Sequence, residues 1–255
     1  MTSREKMKSP AGSALGRGVY STSEALRLIN FRRQFEAGPR SISRRTIVRW
    51  LRGYDYSRAG ETRHSDPLWQ PDYANDDDTL ELSFRDLIEL RFVKTFKDHG
   101  LSLPTIRTCF KRAVEAVHDD RPFSTQKFRT DGRTIFLEIT SDVREGELID
   151  LKRRQNVFHS FILPSLHDLE FDADIVARWF PLGKERRTIV IDPARAFGRP
   201  IVLDGGVPIE VLADAVEIEE SAQPDSVKMQ RVAKLYEVPV AAVRDAVSFH
   251  HRLAA

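Results

Sequence analysis

In the stretch SRRTIVRWLRGY, Ser43 to Tyr54, apolar and charged positions separate when the chain is wound at about 100° per residue. Ile47, Trp50, Leu51 and Tyr54 fall on one side, Arg45, Arg49 and Arg52 on the other, with Arg44 at the flank. This predicts an amphipathic helix with Ser43 as its N-cap and Gly53 at its stop. Upstream, VYSTSEALRLI places Ser21 three positions before Glu24, the spacing of a capping box, followed by an apolar stripe of Ala25, Leu28 and Ile29. A helix over 22–29 and the arginine helix together read as a helix-turn-helix whose second helix enters the major groove. The connection from Asn30 to Ile42 exceeds the roughly three or four residues usual for that motif, and its Phe31 and Phe35 can form an extra helical turn.

Beyond the arginine helix, turn candidates at Ala59-Gly60 and Ser65-Asp66-Pro67 suggest a small hairpin, a wing, with Arg58, Arg63 and His64 near its tip. The acidic run over 75–78 marks a module boundary. Two further helices follow. One has Ser83 as N-cap with Asp86 at its third position and Gly100 after its end; the other opens at Pro104 with Ile106, Cys109, Phe110, Ala113, Val114 and Val117 at helical spacing. That second stripe either packs under the first module or pairs with its copy in another subunit. In FRTDGRTIFLEI, Asp131-Gly132 sits between alternating segments and predicts a β-hairpin. The mixed pattern up to Phe171 suggests a strand and a helix. Short strands at Thr188–Ile191 and Pro200–Leu203 then precede helices over about 208–216, 227–236 and 240–253.

Composition bounds what this pattern can be. A 255-residue chain that is 41% hydrophobic can bury a substantial core, and no apolar run approaches the ~18 residues of a membrane span. The basic opening MTSREKMKSP lacks the apolar region of a secretory signal and reads as a disordered tail. One cysteine, Cys109, allows no internal disulfide and suits a reducing cytoplasm. The net charge of +2 hides an asymmetry: up to Arg58 there are thirteen Lys and Arg against four acids, a net +9. A field concentrated at one end favours a polyanion there, so the arginines are read as more than a solvated face. From Arg186 to Ala255 nine basic residues meet ten acidic ones, which argues for a protein-facing or structural three-helix unit.

Chemistry-bearing motifs are missing. There is no Walker-type loop, no Gly-x-Ser-x-Gly elbow and no His-Glu-x-x-His, so no catalytic role and no cofactor is expected. His250 and His251 point about 100° apart on a helix, and the other histidines lack ligand spacing, so no metal site is expected. Trp50, Trp69 and Trp179 are read as core, and Cys109 as inert packing.

Two regions resemble known families. VYSTSEALRLI, SRRTIVRWLRGY and LSFRDLIELRFVKTFKDHGLSLPTIRTCFKRA are similar to the winged helix-turn-helix of MerR-like bacterial regulators and its following helices. IVIDPARAFGRPIVLDGGVPIEVLADAVEIE with VAKLYEVPVAAVRDAV resembles the bacterial domain of unknown function 433, found in antitoxins of the VapB type. The resemblance implies an antitoxin of a type II system that represses its own operon and neutralises a PIN-like ribonuclease toxin.

The expected fold is mainly α with small β elements: a tail over 1–16, a winged helix-turn-helix over 17–76, a helical and hairpin region over 79–180 that dimerises, and a C-terminal module over 186–255. Ser43, Arg44, Arg45, Thr46, Arg49, Arg52, Arg58, Arg63 and His64 are the candidate DNA-binding residues, with Arg45 and Arg49 nearest the bases. Phe197, Arg199 and Arg244 are the candidate partner-binding residues. The expected partners are double-stranded operator DNA, the toxin and a second copy of the chain, in the cytoplasm and away from membranes. Two alternatives stand: a ligand-sensing regulator with a small-molecule pocket in 123–180, and a protein adaptor that binds no DNA.

Overall fold

A computed structural model describes residues 16–31, 41–73, 79–141, 163–183, 185–219 and 223–254. The fold is mainly α with small β elements. Strand β1 (Tyr20–Ser21) leads into α1 (Thr22–Asn30), whose capping box forms as expected: the Glu24 amide donates to Ser21 Oγ and the Ser21 amide to the Glu24 carboxylate. Helix α2 (Arg44–Arg52) is followed by the antiparallel hairpin of β2 (Tyr54–Arg58) and β3 (Glu61–Ser65). Its turn residues Ala59 and Gly60 have φ of 55° and 83°, the signs a two-residue hairpin turn needs to match strand twist. Strand β4 (Glu81–Leu82) pairs with β1 and feeds α3 (Phe84–Asp98), and α4 (Leu103–Val117) packs beside it.

The stripe of α4 packs inside the chain: Ile106, Cys109, Phe110 and Ala113 are buried, and Val114 and Val117 are half-buried against the same core. Burial pushes the Cys109 thiol up to about 12, which keeps it protonated and unreactive.

Asp131 and Gly132 do not turn a hairpin. They lie inside α5 (Gln126–Ser141), whose start is fixed by Thr125, with Oγ1 accepting from the Phe128 amide at 3.1 Å. Phe128 packs against both the Phe92 and Phe123 rings, which also touch each other, and Gly132 sits where a Cβ would lie 3.4 Å from the Phe128 ring. A cap and a buried aromatic outweigh a local turn preference. The central hairpin comes later. After α6 (Leu163–His167), β5 (Leu169–Asp172) and β6 (Ile175–Trp179) reverse at Ala173, whose φ is 51°.

Strands β7 (Ile189–Ile191) and β8 (Pro200–Val202) extend that hairpin into a four-stranded antiparallel sheet in the order β5-β6-β7-β8. It is covered by α7 (Ile209–Ile218) and α9 (Val240–Ala254), with α8 (Asp225–Leu235) against both helices. The C-terminal unit meets the N-terminal one directly. Tyr20 Oη donates to the Gly198 carbonyl at 2.8 Å, and the Phe31 and Phe249 rings are 4.4 Å apart. All three tryptophans are buried, and apolar side chains from 20 to 249 form one continuous core. No helix among the described residues is long and apolar enough to cross a membrane, and none of their His, Cys, Asp and Glu cluster in threes to hold a metal ion.

Polar groups are also locked into this core. The fully buried Glu89 carboxylate accepts from the Ser124 amide at 2.9 Å and the Phe123 amide at 3.3 Å. Burial raises it to about 8, against the opposing pull of Arg121 and Arg85. In the unfolded chain the same group ionises in the ordinary carboxylate range. From about pH 5 to about 8 the folded state therefore holds the extra proton, and stability falls as pH rises. Glu89→Gln removes this titration. Urea unfolding at several pH values is expected to show wild type losing stability relative to Glu89→Gln between pH 5 and 8 and running parallel above it; parallel curves throughout would contradict the assignment.

Candidate nucleic-acid interface

Helix α2 is short, nine residues, and contacts at its start, its apolar face and its end set its position. Ser43 Oγ caps it, accepting from the Thr46 amide at 3.3 Å and lying 3.0 Å from the Thr46 hydroxyl. Ile47, Trp50 and Leu51 bury its apolar face, and the Leu68 amide, on the chain returning from the hairpin, donates to the Trp50 carbonyl at 2.7 Å. The long connection from α1 is clasped at its ends. The Asn30 carboxamide donates to the Ile42 carbonyl at 2.9 Å and accepts from the Ile42 amide at 3.0 Å. One side chain thus supplies a two-bond bridge that sets α2 against α1 whatever the length between. The extra turn expected around Phe35 lies outside the described residues.

The opposite face of α2 carries Arg44, Arg45 and Arg49, all exposed. Arg44 and Arg45 form no ion pair or hydrogen bond among the described residues. Arg49 lies with its guanidinium carbon 4.1 Å from the centre of the Tyr54 ring. Tyr54 is therefore not part of the buried helix face; the helix ends at Arg52, and Tyr54 opens β2. Arg52 is turned aside, donating to the Thr79 carbonyl at 2.7 Å.

The hairpin cations are arranged differently. Arg63 pairs with Glu61 at 3.2 Å, and His64 Nδ1 lies 2.7 Å from Asp55 across the ladder. Arg58 ends β2, in register with Glu61. The structure thus brings Ser43, Arg44, Arg45, Thr46 and Arg49 together on one open surface, while Arg52, Arg63 and His64 already have partners within the chain. Exposed pairs of this kind are worth about 1 kcal/mol or less, so they can exchange for phosphate contacts at small cost.

What holds the hairpin to the body is a buried polar node that sequence spacing presents only as a helix cap. The Asp86 carboxylate is fully buried and accepts from Trp69 Nε1 at 2.8 Å, the Asp72 amide at 3.0 Å, the Ser83 amide at 3.1 Å and Arg121 Nε at 2.8 Å. Arg121, itself buried, also binds Asp72 at 2.9 Å and the Gln70 carbonyl. Residues 69–72 are the chain leaving the hairpin, so this node fixes the hairpin on α3.

The three expected partner-binding residues lie apart on the C-terminal unit. Phe197 is 66% exposed on the turn before β8, in left-handed backbone with φ 54°, and its carbonyl accepts from the Val19 amide. Arg199 pairs with Glu210 at 3.4 Å, and Arg244 projects from the exposed side of α9. Asp245 does not share that surface. It is buried and binds Arg186, with Nε at 2.8 Å, and Thr188. A cavity of about 340 Å³ opens between α1, β8, α7 and α9, lined by residues such as Leu28, Arg199, Ile209 and His250 rather than by the 123–180 span.

Gly53 connects the two halves of the surface. Its φ is 75°, and a Cβ there would lie 2.6 Å from the Ser65 carbonyl oxygen. Gly53→Ala is expected to cost about 2 kcal/mol or more in chemical denaturation. An unchanged midpoint would show that the helix-to-hairpin turn is softer than this geometry implies.

No family model and no curated protein matches the chain. Among solved structures, the X-ray crystal structure of Rv2018 from Mycobacterium tuberculosis is similar over 89% of this chain and 96% of that one, with a TM-score of 0.62 and 17% identity. At that identity the likeness is one of fold.

Proposed function

We propose that the chain is a DNA-binding antitoxin of a type II toxin–antitoxin system, which represses its own operon and neutralises a PIN-like ribonuclease toxin. The observation that carries the DNA-binding half is the open face of α2, where Arg44 and Arg45 have no ion pair among the described residues and Arg49 stacks on Tyr54, beside a two-stranded hairpin. A nine-residue helix with cationic side chains on one face and a buried apolar face fits the major groove, and a flanking hairpin fits the adjoining backbone. Phosphate contacts position such a module and Arg contacts to base edges give it selectivity. Paired half-sites call for two copies on one operator. The toxin-binding half rests on the resemblance of the motif IVIDPARAFGRPIV and the helices after it to domain of unknown function 433, a resemblance that no family model reproduces, with Phe197, Arg199 and Arg244 as its candidate contacts. The expected compartment is the cytoplasm.

A second reading, a ligand-sensing regulator without a toxin, is favoured by the cavity that touches both α1 and the C-terminal unit. The adjacent reading frame separates the two: co-expression of a ribonuclease-like neighbour should give a co-purifying complex and relief of its growth arrest under the antitoxin reading, and neither under the sensor reading.

DNA binding is tested by the salt dependence of affinity for the upstream duplex, measured by anisotropy with the full-length protein. Each phosphate neutralised contributes about −0.9 to the slope of log K against log salt. The double variant Arg44→Gln, Arg45→Gln is expected to flatten that slope by about 2 and weaken binding at low salt. An unaltered slope would remove α2 from the interface, and no binding at low salt would overturn the DNA-binding reading.

A further inference from the structure

The guanidinium of Arg49 is not simply one more positive charge. Its carbon is 4.1 Å from the centre of the Tyr54 ring, and the Tyr54 ring is 5.9 Å from that of Tyr56, tilted at 49°. Tyr56 is itself exposed and stands across the ladder from Arg63. Cation and rings form a continuous rail from the middle of α2 into the hairpin. The rail exists because of Gly53. Its left-handed backbone reverses the chain immediately after the helix and returns residue 54 to the side of residue 49.

The chemistry of this stack is specific. An aromatic ring engages the flat face of a guanidinium and leaves the N–H groups, which lie in its plane, free to donate. A stacked arginine therefore keeps its full bidentate fork while losing much of its rotational freedom before any ligand arrives. That matches what a guanine edge in the major groove asks for, two acceptors, O6 and N7, side by side in one plane. Among the described residues no aromatic ring lies beneath Arg44 or Arg45, which leaves them suited to phosphates, where position matters less.

We propose that Tyr54 is a positioning residue that holds the Arg49 fork for guanine recognition, so that Arg49 and Tyr54 together set the sequence preference of the protein. This rests on the DNA-binding reading above and goes beyond it by naming which cation reads a base, which base it reads and what aims it. Fixing one long side chain in advance is expected to be worth about a threefold to tenfold gain in affinity for the preferred sequence. Binding to unrelated duplex, which needs only charge, is expected to change less than twofold.

The test uses the full-length protein and a duplex library with a randomised core, selected and sequenced for wild type, Tyr54→Phe, Tyr54→Leu and Arg49→Lys, with thermal unfolding to confirm that each variant folds. Wild type and Tyr54→Phe should enrich a motif with the same G·C position. Tyr54→Leu and Arg49→Lys should both lose preference at that one position while keeping the rest of the motif and the salt dependence. Retention of the position by Tyr54→Leu, or loss at different positions in the two variants, overturns the proposal, as does a failure of Tyr54→Phe to preserve it. Wild-type binding with no enriched motif overturns the proposal while leaving DNA binding intact. Absence of binding at low salt overturns both.

Discussion

The carboxylate of Asp86 is the point from which the arginine face of α2 and its hairpin hang. A buried carboxylate is tolerable only when its oxygens are met by donors, and here they arrive from three parts of the chain: the Trp69 indole and Asp72 amide from the segment leaving the hairpin, the Ser83 amide and hydroxyl from the start of α3, and Arg121 from the turn beyond α4. Breaking such a pair by removing one member typically costs about 3–5 kcal/mol, because the other charge stays buried. The Leu68 amide, one residue before Trp69, holds the Trp50 carbonyl on α2. The orientation of the arginine helix is thus tied through two steps of backbone to one buried ion pair.

The C-terminal unit adds a second restraint. Tyr20, the residue before the α1 cap, is buried against the turn at Gly198, and a Cβ at that glycine would lie 2.2 Å from the Tyr20 hydroxyl. Phe31, at the end of α1, packs on Phe249 and under Arg252. Helix α1 is therefore held at both ends by the unit that the proposed function assigns to the protein partner. With the sheet running from Leu169 to Val202, these contacts join the segments along one main core, beside which Phe180, Val190 and Ile201 form a second small cluster.

Much of this was legible where local chemistry decides. The caps at Ser21, Ser43 and Ser83, the turn at Ala59-Gly60 and the stripe of α4 depend on residues within a few positions of one another, and sequence spacing places them correctly. It fails where a distant side chain settles the matter. Asp131-Gly132 becomes helical because Phe128 finds the rings of Phe92 and Phe123, and the hairpin at 169–179 is completed by β7, ten residues further on. At the candidate site the arginine face was readable from periodicity. The pairing of His64 with Asp55 needed the cross-strand register, that of Arg63 with Glu61 only their shared side of one strand, the stack of Arg49 on Tyr54 needed the turn at Gly53, and the donors around Asp86 needed the tertiary fold.

In the function proposed, α2 and the hairpin after it form one surface that engages DNA as a unit. Hydrogen exchange of the full-length protein, read by mass spectrometry with and without upstream duplex at low salt, addresses it most directly. Slowed exchange is expected only in the peptides spanning 43–65 and their support at 66–73, with α7 to α9 unchanged. Slowing centred on the C-terminal helices with 43–65 unaffected would contradict it.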